Sequence, residues 1–461
     1  MYGKEVLVVM NNDKKTIIIV LVVIVFVIAA SILGCKYYAS HHIEKDDNKN
    51  SNTNNNEPAP VVNEKEYNTR LIKTVHGTQK GNYLISPYSI EIALNMLKDG
   101  ANGESKNQIE QLIKTRNIPT FNVKNRINVA NATFIKEDYA QFIESGYYQK
   151  LKGYKADLVY DKFITPDKIN NWVNQQTYGM IPKLLDVMSP DFLLGLANAV
   201  AIDVKWDSNF ECMNTREAEF TKEDNSKMKV EMMHDYYSGG DNQYFKTDNA
   251  EGVILPYYKY NAEGEEISDE DVKDYTQLEF VGILPNTNVN DYIKSFGDDT
   301  IKDIDSKSKK IGDMENTHLS LYLPRFSYSF DLGNFKEVLE SLGVKDVFDP
   351  KKADLTNIVT RENIENMHKD NIYVNTAIHK TYIDLNEDGT KAAAVTYFDV
   401  QMSGMAGDIA PRKEPIVIEV KFDKPFIYMI RDTKTKEILF FGVVREPNVW
   451  KGKTCRDAEE E

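Results

Sequence analysis

The distribution of apolar positions predicts a folded region of mixed helices and strands between about residues 66 and 447. Ser86-Pro87 favours a helix start, because a serine side chain caps a helix and proline suits its first position. Gly100 favours the end of that helix, and the apolar residues between these points recur at helical spacing. A second helix is predicted from Thr165-Pro166 to about Gly179.

Strand patterns dominate the rest of this region. Leu196–Val204 is almost continuously apolar, which predicts a strand that is covered on both faces. Leu319, Leu321 and Leu323 alternate with their neighbours as in a strand with one buried face. Three more strands are predicted near the end of the chain: Ile416–Phe422, Phe426–Ile430 and Ile438–Val444. Helices followed by many strands, without a long linker or repeat between them, indicate one α+β domain.

The composition mainly excludes certain classes of partner and binding site. Of the 461 residues, 41% are hydrophobic and 28% are charged, so the chain can bury a sizeable core. A formal net charge of −15 argues against nucleic acid and against a polyanionic polysaccharide as partners. The three cysteines do not form a disulfide framework by number or spacing, and the seven histidines match no metal-binding motif. We therefore predict no metal site and no cofactor.

The amino terminus carries a pattern of membrane targeting. Lys14 and Lys15 precede an apolar run from Ile17 to Leu33, which at about 17 residues is near the minimum length for crossing a bilayer. The lysines favour a cytoplasmic amino end and export of everything that follows. The sequence around Cys35 resembles a bacterial lipobox, in which the cysteine is lipidated after cleavage. Residues 1–35 are therefore predicted to be a secretory or lipoprotein signal or an uncleaved membrane anchor, and these alternatives stay open.

A polar segment separates this targeting region from the folded domain. Residues 36–65 are rich in Asn, Asp, Lys and Ser, a composition that cannot bury enough apolar surface to order itself. We predict a disordered linker over 36–65, a folded domain over 66–447 and a tail over 448–461 that contains Cys455. The protein is expected on the extracellular face of the cell membrane or secreted, and to contact the membrane only through its amino-terminal anchor.

Short motifs recur along the folded region in a distinctive order. They are Asn82–Ile90 with Gly100–Ser105, Asn170–Val173 with Thr177–Ile181, Leu196–Ala199 with Lys205-Trp206 and Phe210, Leu255–Tyr257, Ile283–Pro285, Leu323–Phe326, Leu342–Val344 with Phe348, Ala353–Leu355, His379-Lys380, Phe422–Phe426 and Leu439–Gly442. In this order they resemble the serpins, a family of serine protease inhibitors. The resemblance implies three β-sheets with surrounding helices and an exposed reactive-centre loop that begins near Glu387. The chain departs from the family pattern in a lengthened loop, an acidic stretch at Glu263–Asp274 and its tail.

The stretch that begins at Glu387 also has a strand-like pattern of its own. Gly389 gives the backbone the conformational freedom that a hinge requires. In an extended chain the next residues would place small and apolar side chains on one face, and both charges on the other. The first face comprises Thr390, Ala392, Ala394, Thr396, Phe398 and Val400. Burying Phe398 and Val400 would contribute roughly 1.5–3 kcal/mol each.

A segment that suits both a loop and a strand indicates two states. By resemblance, the loop from 387 to about 404 enters the main sheet after a protease has cleaved it, and this traps the acyl-enzyme. Small hinge residues let insertion begin, whereas proline or a buried charge would block it. The predicted hinge comprises Glu387, Gly389, Thr390, Ala392, Ala393 and Ala394. The plainer alternative is a long hairpin with an alanine-rich strand.

The family's usual distance from hinge to scissile bond indicates where the loop is cut. It gives Ser403-Gly404, with Met402-Ser403 as the alternative, and the extra loop length leaves this choice open. Cleavage after Met or Ser suits elastase-, subtilisin- or chymotrypsin-like serine proteases, which are the predicted partners, and cysteine proteases are a second class of target. We expect a monomer that is not itself an enzyme.

Two further groups of residues match family positions that control the sheet. Ser86, Ser89, Asn198 and His379 match the shutter, a polar cluster beneath the main sheet where it opens. Lys205 and Trp206 match the breach, where the loop first enters. A buried polar network that can rearrange suits a sheet that parts. The plainer interpretations are a helix cap for Ser86, a satisfied core histidine for His379 and a core tryptophan for Trp206.

Two alternative functions use the same fold. A non-inhibitory serpin would act as a surface carrier, a chaperone or a plain protease substrate, and it would be cleaved without forming a covalent complex. A surface adhesion module would use the fold only as a scaffold. A hydrolase has less support, because the sequence contains no GxSxG motif, paired-carboxylate motif or phosphate loop.

Overall fold

The computed structural model of the protein describes residues 66–113, 118–268, 273–390 and 414–451. The predicted signal or anchor segment, the linker, the loop beyond Thr390 and most of the tail lie outside these residues. Within the described ranges, no helix is both long and apolar enough to cross a membrane.

The α-helices are 6 to 14 residues long. In the described residues they are α1 (Glu66–His76), α2 (Pro87–Gly100), α3 (Gly103–Ile113), α4 (Ser145–Gly153), α5 (Asp167–Gln176), α6 (Val289–Ser295), α7 (Asp298–Lys307), α8 (Phe335–Ser341) and α9 (Arg361–Asn366). Short 3₁₀ turns cover Glu137–Phe142, Cys212–Asn214, Ile311–Asp313 and Asp346–Phe348. The two helices predicted from the sequence correspond to α2 and α5.

Helix α2 begins and ends at the residues that the sequence predicted. The Ser86 hydroxyl accepts a hydrogen bond from the Ser89 amide at 3.1 Å, and Pro87 occupies the first helical position. The helix ends at Gly100, where a Cβ atom would lie only 2.5 Å from the Ile358 side chain. Glycine is therefore required there by close packing as well as by its role in ending helices.

The strands occupy most of the remaining sequence. They are β1 (Tyr83–Ile85), β2 (Ile127–Lys136), β3 (Asp157–Asp161), β4 (Leu194–Ile202), β5 (Val204–Lys205), β6 (Arg216–Thr221), β7 (Lys227–Tyr237), β8 (Gln243–Lys246), β9 (Ala250–Pro256), β10 (Leu278–Pro285), β11 (Lys309–Lys310), β12 (Thr317–Pro324), β13 (Phe326–Asp331), β14 (Lys380–Leu385), β15 (Gly389–Thr390), β16 (Ile416–Lys421), β17 (Phe426–Asp432) and β18 (Ile438–Val444). The three carboxy-terminal strands predicted from the sequence are β16, β17 and β18.

Two sheets form the apolar centre of the fold. The larger has seven strands in the order β1-β18-β17-β10-β9-β8-β11, and every residue of β10, β17 and β18 is buried. The second has the order β16-β12-β7-β6, and Leu319, Leu321 and Leu323 of β12 are fully buried as their alternation predicts. Because continuously apolar strands need cover on both faces, the larger sheet lies at the core.

The remaining strands form two separate sheets among the described residues, where the family resemblance implies a single main sheet. One has the order β13-β14-β15-β5 and the other has the order β3-β2-β4. Strand β4 was predicted to be covered on both faces, but Leu194–Asn198 are only half-buried. The prediction was wrong for this part of the strand, because β4 pairs with β2 on one edge while no described strand pairs with its other edge.

Cys212 is disulfide-bonded, which the number and spacing of the cysteines did not predict.

Candidate functional site

The predicted loop hinge begins with a tight turn between β14 and β15. The Asn386 amide donates to the Gly389 carbonyl at 3.1 Å, and the Asp388 amide donates to the Asn386 side chain at 3.0 Å. Thr390 then pairs with Leu385 of β14 on one side and with Val204 of β5 on the other. The described end of the hinge, Gly389-Thr390, is therefore already part of a sheet.

Trp206 and Phe210 bind three successive carbonyl groups of this turn. The Trp206 indole donates to the Asn386 carbonyl at 2.9 Å, and the Trp206 amide donates to the Asp388 carbonyl at 3.0 Å. The Phe210 amide donates to the intervening Glu387 carbonyl at 3.1 Å. Trp206, which is 1% exposed, thus contributes more than core packing, since both of its N–H groups hold the hinge backbone.

Glu387 is 4% exposed, although the sequence reading placed it at the start of an exposed loop. Its carboxylate accepts a hydrogen bond from Arg325 Nε at 2.6 Å and another from the Thr215 hydroxyl. Arg325 also lies 3.9 Å from the Glu231 carboxylate. The prediction of exposure was wrong here because a nearly buried carboxylate is stable once it has a cation and a hydroxyl as partners.

Arg325 and Thr215 hold the carboxylate of the predicted hinge residue Glu387, but they were not among the candidate site residues predicted from the sequence. Arg325 was noticed only as part of a family motif, and Thr215 was not noticed at all. The available signal was a charged residue, Arg325, directly after the buried end of β12. Its partner lies 62 residues away, so no local pattern could have identified the pair.

Gly389 is needed at the hinge for a different reason from the one predicted. A Cβ atom on this residue would lie 2.1 Å from the Val204 carbonyl oxygen and 2.7 Å from the Lys205 Cα atom. Both are backbone atoms of β5, which cannot move away without breaking the pairing. Glycine therefore allows β15 to approach β5 closely, in addition to the conformational freedom that it gives the turn.

Thr390 lies at the inner end of the hinge and is 2% exposed. Its hydroxyl is 2.5 Å from the Tyr257 hydroxyl, and burial raises the pKa of Tyr257 well above its usual value. Burial and the neighbouring Glu387 charge also raise the pKa of Asp388. The hinge thus places the paired Glu387 charge beside a carboxyl and a phenol whose pKa values are both raised by burial.

A cleft continues from Thr390 between β14 and β4. It is narrow, with a cavity volume of about 10 Å³, which is room for roughly one water molecule. One wall comes from Tyr382, Ile383 and Asp384 of β14, and the other from Val200, Ala201 and Ile202 of β4. The other lining residues are Leu84, Met180, Thr390, Ile430 and Phe440. The cleft is therefore mainly apolar and lies along the path that β15 would follow if it were longer.

Three of the four predicted shutter residues come together near this cleft. The Ser86 amide donates to His379 Nε2 at 3.1 Å, and Ser86 caps α2 through Ser89. His379 is 6% exposed, and burial lowers its pKa to about 4. Because Nε2 accepts a hydrogen bond from an amide, the neutral imidazole is the form that fits this site.

Asn198, the fourth predicted shutter residue, does not contact the other three. Its side-chain amide donates to the Asn131 side chain of β2 at 2.7 Å and to the Ala130 carbonyl at 3.4 Å. Its carbonyl oxygen is buried without a hydrogen-bond partner among the described residues. Asn131 in turn donates to the Tyr154 carbonyl, so this pair ties β4 to β2 and to the end of α4.

Lys205, a predicted breach residue, pairs with the hinge through its backbone, but its side chain binds another partner. Its backbone pairs with Gly389, and its amide donates to the Tyr260 hydroxyl at 3.1 Å. The Lys205 ammonium group lies 3.0 Å from the Glu266 carboxylate, which belongs to the acidic stretch noted in the sequence. Both side chains are more than a third exposed, so this ion pair contributes little to stability.

The other predicted site residues lie outside the described part of the chain. These are Ala392, Ala393 and Ala394 of the hinge, Met402, Ser403 and Gly404 of the scissile bond, and Cys35 of the lipidation motif. In the described ranges no three His, Cys, Asp or Glu side chains are grouped as metal ligands.

Comparisons with known proteins agree with this arrangement. Residues 63–447 match the family described as Serpin (serine protease inhibitor). The chain is 28% identical to neuroserpin of Homo sapiens over 395 residues, which cover 79% of this chain and 86% of neuroserpin. It is 27% identical to the leukocyte elastase inhibitor of Xenopus tropicalis over 390 residues, which cover 80% of this chain and 93% of that inhibitor. The fold matches the thermophilic serpin tengpin in its native state with a TM-score of 0.64 and 30% identity, over 82% of this chain and 93% of tengpin.

Proposed function

Because this chain belongs to the serpin family, most of whose matched relatives are protease inhibitors, we propose that it is a suicide inhibitor of serine proteases. The protein would offer its loop from about 387 to 404 as a substrate and then trap the attacking enzyme. The observation that carries this proposal is the hinge, which is already paired between β14 and β5 at one end of an apolar cleft.

The strand register supports insertion of the whole loop segment. Gly389 pairs with Lys205, and Thr390 pairs with Val204. If this antiparallel register continued along β4, residue 400 would lie opposite Leu194, the first residue of that strand. The residues from Gly389 to Val400 thus match the length of β5 and β4 together. They are the same residues whose alternation in the sequence predicts an inserted strand.

The trap needs no catalysis by this chain. The nucleophile of the target protease attacks the carbonyl of the bait bond, the new amino terminus leaves, and an acyl-enzyme ester forms. Insertion of the cleaved loop into the cleft would then carry the protease away before water hydrolyses the ester. A displacement of about 1 Å among the catalytic groups can slow an enzyme around a hundredfold. The ester would therefore persist.

The proposed scissile bond is Ser403-Gly404, with Met402-Ser403 as the second choice. Both suit elastase-, subtilisin- or chymotrypsin-like proteases, and cysteine proteases are a further class of target. One relative of this chain is named as an inhibitor of leukocyte elastase, which agrees with an elastase-like target. The protein would act outside the cell, either secreted or held by its amino-terminal segment with Cys35 as the lipidation site.

The control residues have proposed roles that follow from their contacts. Trp206 and Lys205 would guide the first inserted residues, since their backbones bind Asp388 and Gly389. Ser86, Ser89 and His379 would hold the base of β14 while the sheet admits a new strand. Asn198 would keep its bond to Asn131 and accept a further one from the incoming strand, because its side-chain carbonyl oxygen has no partner among the described residues.

A gel assay tests the proposal directly. The full-length chain is incubated with elastase-, subtilisin-, chymotrypsin- and trypsin-like proteases, and the products are separated in SDS. We expect a stable adduct with at least one of the first three, and mass spectrometry of the released carboxy-terminal fragment should identify the cleaved bond. Quantitative cleavage without an adduct would contradict inhibition and favour a carrier, a chaperone or an adhesion module.

A further inference from the structure

We propose that Tyr257 is a positioning residue for loop entry, because its buried hydroxyl holds the side chain of Thr390 inside the sheet. Thr390 is the last described residue before the loop, so this contact fixes the point from which any further insertion starts. The inference rests on the proposed inhibitory function and names a residue that would control its first step.

The two hydroxyl groups depend on each other. Tyr257 is fully buried and Thr390 is 2% exposed. Their oxygen atoms are 2.5 Å apart, although the residues are separated by 133 positions in sequence. Within the described part of the chain, neither hydroxyl has another hydrogen-bond partner. Withdrawal of Thr390 from the sheet would leave the buried Tyr257 hydroxyl without a hydrogen-bond partner. This withdrawal is therefore energetically unfavourable.

Tyr257 itself is held rigidly. Its ring stacks on Trp206 with a centroid distance of 4.5 Å and an interplanar angle of 11°. Its amide donates to the Leu278 carbonyl at 3.0 Å, and its carbonyl accepts from the Gln277 side chain at 2.9 Å. The hydroxyl therefore occupies a fixed position, and Thr390 must come to it.

Tyr257 and Trp206 play different parts in holding the hinge. Trp206 binds the backbone carbonyls of Asn386 and Asp388, which any residue could provide. Tyr257 binds a side chain, so it distinguishes between residues at position 390. Threonine and serine carry the required hydroxyl, whereas valine has the shape of threonine but lacks the oxygen. The contact therefore explains why a hydroxyl residue occupies the first inserted position.

Amide hydrogen exchange on the intact, uncleaved full-length chain tests this inference. The relevant amides are those of Asn386–Thr390 and Val204–Lys205, which lie on either side of the β15–β5 pairing. We expect Tyr257→Phe and Thr390→Val each to accelerate exchange there about three- to tenfold, the factor that one lost hydrogen bond produces. The double variant should exchange no faster than the faster single variant, because both substitutions remove the same bond.

Two controls separate this role from general destabilisation. Thr390→Ser keeps the hydroxyl, so the exchange rates of the hinge amides should stay within about twofold of those in the unmodified protein. Tyr258→Phe makes the same chemical change at the next residue, whose amide donates to the Lys205 carbonyl but whose hydroxyl makes no hydrogen bond among the described residues, and it should leave exchange at the hinge unchanged. If Tyr257→Phe prevents folding, the comparison of Thr390→Ser with Thr390→Val still decides the question.

Three results would overturn the inference: unchanged exchange in Tyr257→Phe, equal acceleration in Thr390→Ser and Thr390→Val, or additive effects in the double variant. Hydrogen exchange on the uncleaved chain requires no protease, so its outcome does not depend on whether the protein inhibits. Failure of the proposed inhibitory function would appear in the gel assay instead, as the absence of an adduct. If adducts form, both single variants should also require more inhibitor molecules per trapped protease than the unmodified protein, whereas Thr390→Ser should not.

Discussion

The two ends of the cleft between β14 and β4 differ in how completely they are bonded. At the hinge end, β14, β15 and β5 pair in succession, and the carbonyls of residues 386–388 are all bound by backbone or indole N–H groups. Beyond Thr390, β14 and β4 belong to separate sheets among the described residues. In the proposed mechanism, the pairing of Gly389-Thr390 would be the first step of insertion, and the remaining steps would add a strand to existing edges.

The two ends also differ in electrostatics. The hinge end contains a nearly buried ion pair, in which Glu387 lies 2.6 Å from Arg325. The predicted shutter residues are neutral polar groups, since burial lowers the pKa of His379 to about 4 and Asn198 bonds to another amide side chain. A paired charge fixes one geometry, whereas neutral donors and acceptors can change partners at lower cost. The Glu387–Arg325 pair is therefore suited to keep the hinge in one arrangement, and the neutral groups of His379 and Asn198 are suited to exchange hydrogen-bond partners.

The largest effect is expected from a charge at the hinge. Thr390→Arg places a guanidinium between β14 and β5 at a position that is 2% exposed, where burial of a charge is costly. The chain should still be cleaved by the target protease, but the rate constant of adduct formation should fall at least about a hundredfold, because the hinge can no longer enter the sheet.

Thr287→Arg is the matched control, because Thr287 is exposed and lies far from the hinge in the chain. It should form adducts at the rate of the unmodified protein. If Thr390→Arg also traps protease normally, the hinge does not need to lie inside the sheet, and the contrast between the two ends of the cleft has no functional meaning.

A pH-dependent free energy of unfolding is expected from the buried imidazole of His379. Burial lowers the pKa of His379 to about 4, whereas an unfolded histidine has a pKa of about 6.5. Between these values the unfolded chain binds a proton that the folded chain does not, so the contribution of His379 is complete above about pH 6.5 and is lost as the pH falls towards 4. The expected loss is about 3 kcal/mol.

Denaturant unfolding of the unmodified protein and of His379→Gln at pH 7 and at pH 4 measures this contribution. The carboxylates contribute equally to both proteins, so the difference between them isolates the histidine. The fall in the free energy of unfolding should be smaller in the variant by about 3 kcal/mol. Equal falls would mean that His379 is not held in its neutral form by the fold.

A smaller effect is expected from the ion pair at the hinge. Glu387→Gln removes one charge and leaves Arg325 without its nearest partner. Breaking a buried pair costs about 3–5 kcal/mol, but the Arg325 side chain is 27% exposed, so water can solvate part of the remaining charge. The free energy of unfolding should fall by about 2 kcal/mol, as measured by denaturant titration.

Glu446→Gln provides the comparison for this variant, because it breaks the exposed Lys222–Glu446 pair. That substitution should change the free energy of unfolding by no more than about 0.5 kcal/mol. An equal effect of the two substitutions would show that burial of Glu387 does not strengthen the hinge.

Local patterns in the sequence predicted the secondary structure of this domain well. Ser86-Pro87 and Gly100 mark α2, and the alternation of Leu319, Leu321 and Leu323 marks β12. These signals depend on neighbouring residues only, through capping and the two-residue period of a strand. The family resemblance added three β-sheets, whereas the described residues form four, and it added a hinge position that stays a prediction.

Contacts between distant residues could not be predicted in the same way. Glu387 is buried because Arg325 and Thr215 reach it from 62 and 172 positions away. Gly389 is constrained by the backbone of β5, and Asn198 bonds to Asn131 rather than to the other shutter residues. Each of these depends on how strands meet in space. Even the burial of β4 was misjudged, because its sequence does not reveal that one of its edges borders a cleft.

Hydrogen exchange before and after loop cleavage tests the central claim most directly. The amides to follow are those of Tyr382–Asp384 in β14 and Val200–Ile202 in β4, which line the two walls of the cleft. If the cleaved loop inserts between them, the amides on both walls that face the cleft gain partners, and their exchange should slow at least about tenfold. Unchanged exchange on both walls, in a chain shown to be fully cleaved, would contradict insertion of the loop.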